Sequence, residues 1–139
     1  MAKQLLVLFL LFPALWARGE TKDSYVQGEF MSVEQADKKW GHATFSEEKF
    51  KKTAPDQRAS MAVTLVRSKK LENAPIDVVR KTLGPPDGYF QDDTIPAYLL
   101  GTRKPGEKKE VWQLVFILNE ERTKVIEIKI HKNCCYKED

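Results

Sequence analysis

The spacing of apolar residues along the chain changes character three times. An apolar run over residues 5–12, behind a basic start at Lys3, continues through Pro13-Ala14-Leu15-Trp16-Ala17 and then stops abruptly at a polar stretch. Residues 18–38 are polar, with Tyr25, Val26, Phe30, Met31 and Val33 scattered among them. Ser32 can cap one helical turn there, over Ser32-Val33-Glu34-Gln35. Helical spacing takes over next. A short helix is predicted over about residues 46–52, capped by Ser46 or by a Thr44–Glu47 capping box, with Phe50 as its inward anchor. Pro55 opens a longer helix, its missing N–H harmless in a first turn. Met61, Leu65 and Ser68 form one stripe of that helix, flanked by Ala62 and Val66, while Arg58, Arg67 and Lys69 face water. A third helix carries Ile76, Val78, Val79 and Leu83, with Asn73 as the cap candidate. Gly84, Pro85 and Pro86 end it.

Beyond Gly84 the period is two. Asp87-Gly88 is a turn signal, Tyr89-Phe90 starts a strand, and residues 95–100 form a strand that Pro96 confines to an edge or makes irregular. A loop rich in Lys, Gly and Pro spans residues 101–109. Over residues 111–118, Trp112, Leu114, Phe116 and Leu118 alternate with Val111, Gln113, Val115 and Ile117. After a polar turn at 119–123, Ile126, Ile128 and Ile130 alternate with Glu127, Lys129 and His131. These two strands read as an antiparallel hairpin whose outer face meets water. Helices first and strands after define the α+β class, expected as two layers: two main helices packed on a three- or four-stranded antiparallel sheet.

Composition narrows the class without naming a chemistry. A chain of 139 residues fits one domain, and 31% charged with 42% hydrophobic residues is the make-up of an ordinary folded protein. A net charge of +3, spread along the chain, argues against an electrostatic nucleic-acid binder. Residues 1–17 have the order of a secretory signal peptide, and their apolar stretch is short of the roughly 20 residues that cross a bilayer. No Cys follows that stretch, so no lipid anchor is expected, and no other segment has the length for a membrane span. The expected layout is a signal peptide at 1–17, an irregular lead-in at 18–43, the α+β domain at 44–131 and a charged tail with a cysteine pair at 132–139. The expected location is secreted or periplasmic.

A helix that ends in Leu83-Gly84-Pro85-Pro86-Asp87 and leads into a short antiparallel sheet resembles the small exported domains of the SmpA/OmlA type, a fold that recurs in tandem in the beta-lactamase inhibitory protein. The stretch Ile76-Asp77-Val78-Val79-Arg80-Lys81-Thr82-Leu83-Gly84 is similar to the family's second helix and its exit. The preceding helix, with Arg58, Met61 and Leu65, and the later hairpin follow in the family's order, so the resemblance covers about residues 45–131. It implies a non-catalytic domain that presents its sheet and loops to another protein. The lipoprotein cysteine is missing, and the charged 101–110 loop and the Cys-Cys tail lie outside the pattern, so no functional residue is carried over.

Candidate chemistry is sparse. Cys134 and Cys135 are the only cysteines, and three states compete for them in an exported protein: a vicinal disulfide, bridges between chains, and free or modified thiols. His131 and His42 complete a set of zinc-compatible side chains, but the spacing is not that of a zinc site, and no metal or cofactor is expected. A cysteine nucleophile served by His131 would need a rigid setting that a charged tail does not offer. No serine nucleophile elbow, phosphate-binding glycine loop or His-Glu-x-x-His motif occurs, and Asp92-Asp93 reads as a solvated turn. Among the aromatics, Tyr89, Tyr98 and Trp112 are the candidate contact residues, provided that they face outward. The expected function is a non-catalytic exported protein-binding or envelope-assembly domain whose partner is another envelope or secreted protein. The alternative is a small thiol-active protein using Cys134 and Cys135.

Overall fold

Local capping decides where the helices begin. A computed structural model describes residues 29–91 and 93–133; residues 1–17, expected to be a signal peptide, Asp92 and the Cys134-Cys135 pair lie outside the described residues. Strand β1 (Phe30–Met31) is followed by helix α1 (Val33–Trp40), where Ser32 and Gln35 form a reciprocal capping box. Helix α2 (Glu47–Lys52) starts at Ser46, whose hydroxyl accepts the Lys49 amide. Pro55 opens not the long helix itself but a 3-10 turn, Pro55–Gln57, and helix α3 (Ala59–Ser68) follows. Helix α4 (Ile76–Leu83) begins after Pro75. The expected cap, Asn73, is instead held in a left-handed conformation with φ 65°, and its amide donates to the Val125 carbonyl at 2.7 Å.

Strands β2 (Gly88–Phe90), β3 (Ile95–Leu99), β4 (Val111–Leu118) and β5 (Val125–Asn133) complete an α+β fold. The described residues form a five-stranded antiparallel sheet in the order β1-β5-β4-β3-β2, larger than the expected three or four strands. The extra edge strand is β1, which lies in the stretch expected to be irregular: Phe30 and Met31 pair with His131 and Ile130. A two-residue strand has too short a period to be read from sequence. β3 is an interior strand despite Pro96. Its pairing with β4 runs only from Ala97 to Leu99, so the missing Pro96 amide lies beyond that ladder.

The helices bury their apolar sides against one face of the sheet. Ala36, Phe50, Ala62, Leu65, Val79 and Leu83 meet Tyr98, Leu114, Phe116, Ile128 and Ile130 in the main core. α1 contacts α3, and α2 contacts α4. Arg58, expected to face water, is 6% exposed. Its Nε donates to the Leu99 carbonyl at 2.8 Å, its Nη2 pairs with the Asp87 carboxylate, and its guanidinium lies 4.9 Å from the centre of the Phe50 ring.

The opposite face is not wet along its length, contrary to the alternation in β5. Phe90, Ile95, Ala97, Val115 and Ile117 form a second apolar group there, joined by Phe30 and Ile126. Two causes are visible. A bulge pairs Leu118 with Val125 and Ile117 with Glu127, which turns Ile126 away from the Ile128–Ile130 side. The sheet also curls. β1 and β2 are its two edges, which a flat sheet would hold about 19 Å apart at four spacings of about 4.8 Å. Instead the Phe30 and Phe90 rings meet edge to face with centroids 6.5 Å apart. The two rings roof the second face, with His131 beneath them at 5.1 and 4.3 Å. Among the described residues, no helix is long and apolar enough to cross a membrane.

Candidate functional site

A cleft of about 380 Å³ opens where α1 ends beside the β3–β4 connection. Four segments bring its lining together. Lys39 and Trp40 are the last residues of α1, and Asp56 comes from the 3-10 turn. Leu100 and Gly101 follow β3, and Lys109, Glu110 and Trp112 lie at the entry to β4.

Each wall has an identifiable cause. Gly41 stops α1 with φ 69° and ψ −169°, a conformation open mainly to glycine, so Trp40 falls at the helix end beside the cleft. The Leu100 amide donates to the Trp112 carbonyl at 2.8 Å, extending the β3–β4 ladder one residue past the strand. Asp56 then ties down the loop start. Its Oδ1 accepts the Thr102 amide at 2.8 Å, and its Oδ2 accepts the Thr102 hydroxyl at 2.6 Å. These hydrogen bonds, helped by Lys109, hold the Asp56 carboxyl below its ordinary pKa. The far end of the loop is fixed by Lys132, the cross-strand partner of Trp112, which reaches Glu110 at 2.7 Å and Glu29 at 3.2 Å. The same contact lowers the Glu110 pKa and raises that of Lys132. Both carboxylates of the cleft are therefore charged and already engaged.

The ammonium groups are less committed. Lys109 stands 3.8 Å from Asp56 Oδ1, an ion-pair distance but too long for a hydrogen bond. Lys39 lies 5.9 Å from the centre of the Trp40 ring; its charge helps lower the Glu110 pKa, but among the described residues it makes no hydrogen bond or ion pair. Trp112 is 7% exposed, and its indole Nε1 is the one buried side-chain nitrogen or oxygen among the described residues with no hydrogen-bond partner.

Of the three aromatics singled out from sequence, only Trp112 belongs to this cleft. Tyr98 does not face outward. It is fully buried, its hydroxyl donates to the Gly84 carbonyl at 2.7 Å, and Phe50 and Phe116 pack edge-on against its ring. Burial pushes its hydroxyl pKa far above the ordinary value, so it stays a neutral donor. Tyr89 is half exposed on edge strand β2, opposite Pro96. Trp40, Lys39, Asp56 and Lys109 were not legible as site residues. The only hint is that the 101–110 loop starts from Leu100 and returns to Trp112, both of which are apolar.

The histidines occupy unrelated settings. His42 Nδ1 lies 2.7 Å from Asp37, whose other oxygen is bound by Arg67. His131 is 4% exposed beneath the aromatic roof, 3.2 Å from Gln113 Nε2, and desolvation lowers its pKa. Among the described residues, no three His, Cys, Asp or Glu side chains are grouped to hold a metal ion. Comparison with protein families, with characterised proteins and with solved structures finds no match for this chain.

Proposed function

We propose that the chain is a non-catalytic, exported protein-binding domain that receives side chains of an envelope or secreted partner in the Trp40–Trp112 cleft. The observation that carries this reading is the composition of the cleft: two tryptophans and Leu100 beside lysines whose hydrogen-bonding capacity is largely unused. Aromatic residues at a pocket concentrate binding energy, because they bury large area at small entropic cost. The volume, at the lower end of the roughly 300–1,000 Å³ range of binding pockets, suits one or two anchoring side chains. The carboxylates in the cleft are engaged with Thr102 and Lys132, an arrangement that builds walls and not an acid–base pair. We read the fold as the two-layer arrangement of SmpA/OmlA-type domains, with β1 added ahead of the helices.

The test places a photo-crosslinking amino acid at position 108, exposed beside the cleft but not in its lining, or at the control position 121 in the turn at the other end of β4, and activates it in the native compartment. The expected result is one dominant adduct from position 108, absent from position 121 and weakened by Trp40→Ala. Equal labelling from both positions, or none from 108, rejects the cleft as a binding site.

A further inference from the structure

The cleft carries charge of both signs, and the carboxylates are held by hydrogen bonds whereas the lysines act only through their charge. Asp56 has an acceptor bond on each oxygen, and Glu110 is held by a lysine that also holds Glu29. An incoming cation would have to compete with these short hydrogen bonds. An incoming anion meets donors free of hydrogen bonds: an ammonium has three, Lys39 acts on Glu110 only through its charge, and Lys109 stands 3.8 Å from Asp56, too far to donate to it. Beside these donors lies the half-buried Trp40, with the edges of Trp112 and Leu100, core residues 7% and 4% exposed, forming the floor. The complementary group is therefore anionic at one end and apolar at the other.

We infer that the cleft recognises an acidic segment of the partner, with a Glu or Asp carboxylate on Lys39 and Lys109 and a neighbouring apolar side chain against Trp40 and Trp112. This rests on the protein-binding reading and adds the chemistry of the partner to it. A polyanion such as a nucleic acid or sulfated glycan is less well matched. Such ligands need a line of cations along a backbone, whereas here two lysines flank an aromatic surface and two retained carboxylates.

The experiment follows the indole N–H signals of the 15N-labelled full chain, assigned by Trp→Phe variants. The probe is a blocked tetrapeptide of glutamate, leucine, phenylalanine and glutamate, and its counterpart carries glutamine in place of both acids. The expected result is movement of the Trp40 and Trp112 signals by the acidic peptide, with the glutamine peptide about tenfold weaker. Added salt should weaken the acidic peptide, since both lysines are solvent-accessible. Lys39→Glu with Lys109→Glu, or the milder Lys39→Gln with Lys109→Gln, should abolish the difference between the peptides. Lys104→Glu with Lys108→Glu, the same charge change on the same loop outside the cleft, should leave it intact. Equal affinity for both peptides overturns the inference while leaving a binding cleft in place. Saturation by a heparin fragment or inorganic phosphate in preference to the peptide also overturns it, as does a peptide that moves neither signal. The adducts from position 108 decide separately whether the cleft binds protein at all.

Discussion

Arg58 and Asp87 show how a single pair of residues can join distant parts of the chain. Arg58 precedes α3, and Asp87 follows the Gly84-Pro85-Pro86 exit of α4. The guanidinium reaches both Asp87 and the Leu99 carbonyl, and Asp87 Oδ2 also accepts the Leu99 amide at 2.9 Å. Arg58 is 6% exposed, so the loss of its carboxylate partner leaves a buried, uncompensated charge. Asp87→Ala should therefore cost about 3 kcal/mol or more, whereas Arg58→Met, which keeps the packing against Phe50, should cost less. A double-mutant cycle by urea denaturation measures the coupling. A value near zero would mean that the pair contributes nothing beyond its individual contacts. Sequence reading placed Arg58 in water because the helical stripe runs through Met61 and Leu65. It misses the pairing because a residue before the helix follows the geometry of the preceding turn and not the helix period.

At the scale of elements, the boundaries written in local chemistry were the legible ones. Ser32, Ser46 and Gly84 each determine a helix end through their own backbone or hydroxyl, and each stands where the sequence puts it. What depended on partners far along the chain was not legible. β1 exists only because Phe30 and Met31 find His131 and Ile130. The face exchange of Ile126 comes from a bulge against Ile117 and Leu118. The cleft is the extreme case, since its lining is drawn from four separated segments. Gly84 is the clearest test of the legible kind. It holds φ 85° and ψ −173°, a region essentially restricted to glycine, and its carbonyl accepts the Tyr98 hydroxyl. A Cβ there would meet Lys51 Cγ at 3.5 Å, an ordinary contact, so the cost of Gly84→Ala is conformational: about 1–3 kcal/mol. Gly106, also at positive φ but in the exposed loop, serves as the comparison. If both alanine variants lose the same stability in urea, the α4 exit has no special role in anchoring Tyr98.

For the whole molecule, the decisive feature is that side chains from the two edges of the sheet meet over a titratable group. Phe30 and Phe90, from opposite edges, cover His131, with Gln113 beside it and the Lys129 ammonium 4.7 Å from the Phe30 ring centre. Desolvation keeps His131 neutral in the folded state below the ordinary imidazole range. The unfolded chain, with a histidine pKa of about 6.5, then binds the proton more readily. Stability should accordingly be full above about pH 6.5 and fall as the pH drops through that value, until the folded-state histidine also protonates. The loss can reach about 1.4 kcal/mol per pH unit for one group. Asp37, Asp56 and Glu110 do not obscure this window, because their partners hold them below the usual carboxylate range and their own losses begin at lower pH. The measurement is the urea midpoint at about pH 7.5 and 5.5 for the parent and for His131→Gln, which keeps a hydrogen-bonding group beside Gln113. The parent should lose stability on acidification, and the variant should lose clearly less. Equal slopes would mean that the roof admits water to His131, and that the curl bringing the two edges together does not seal the second face.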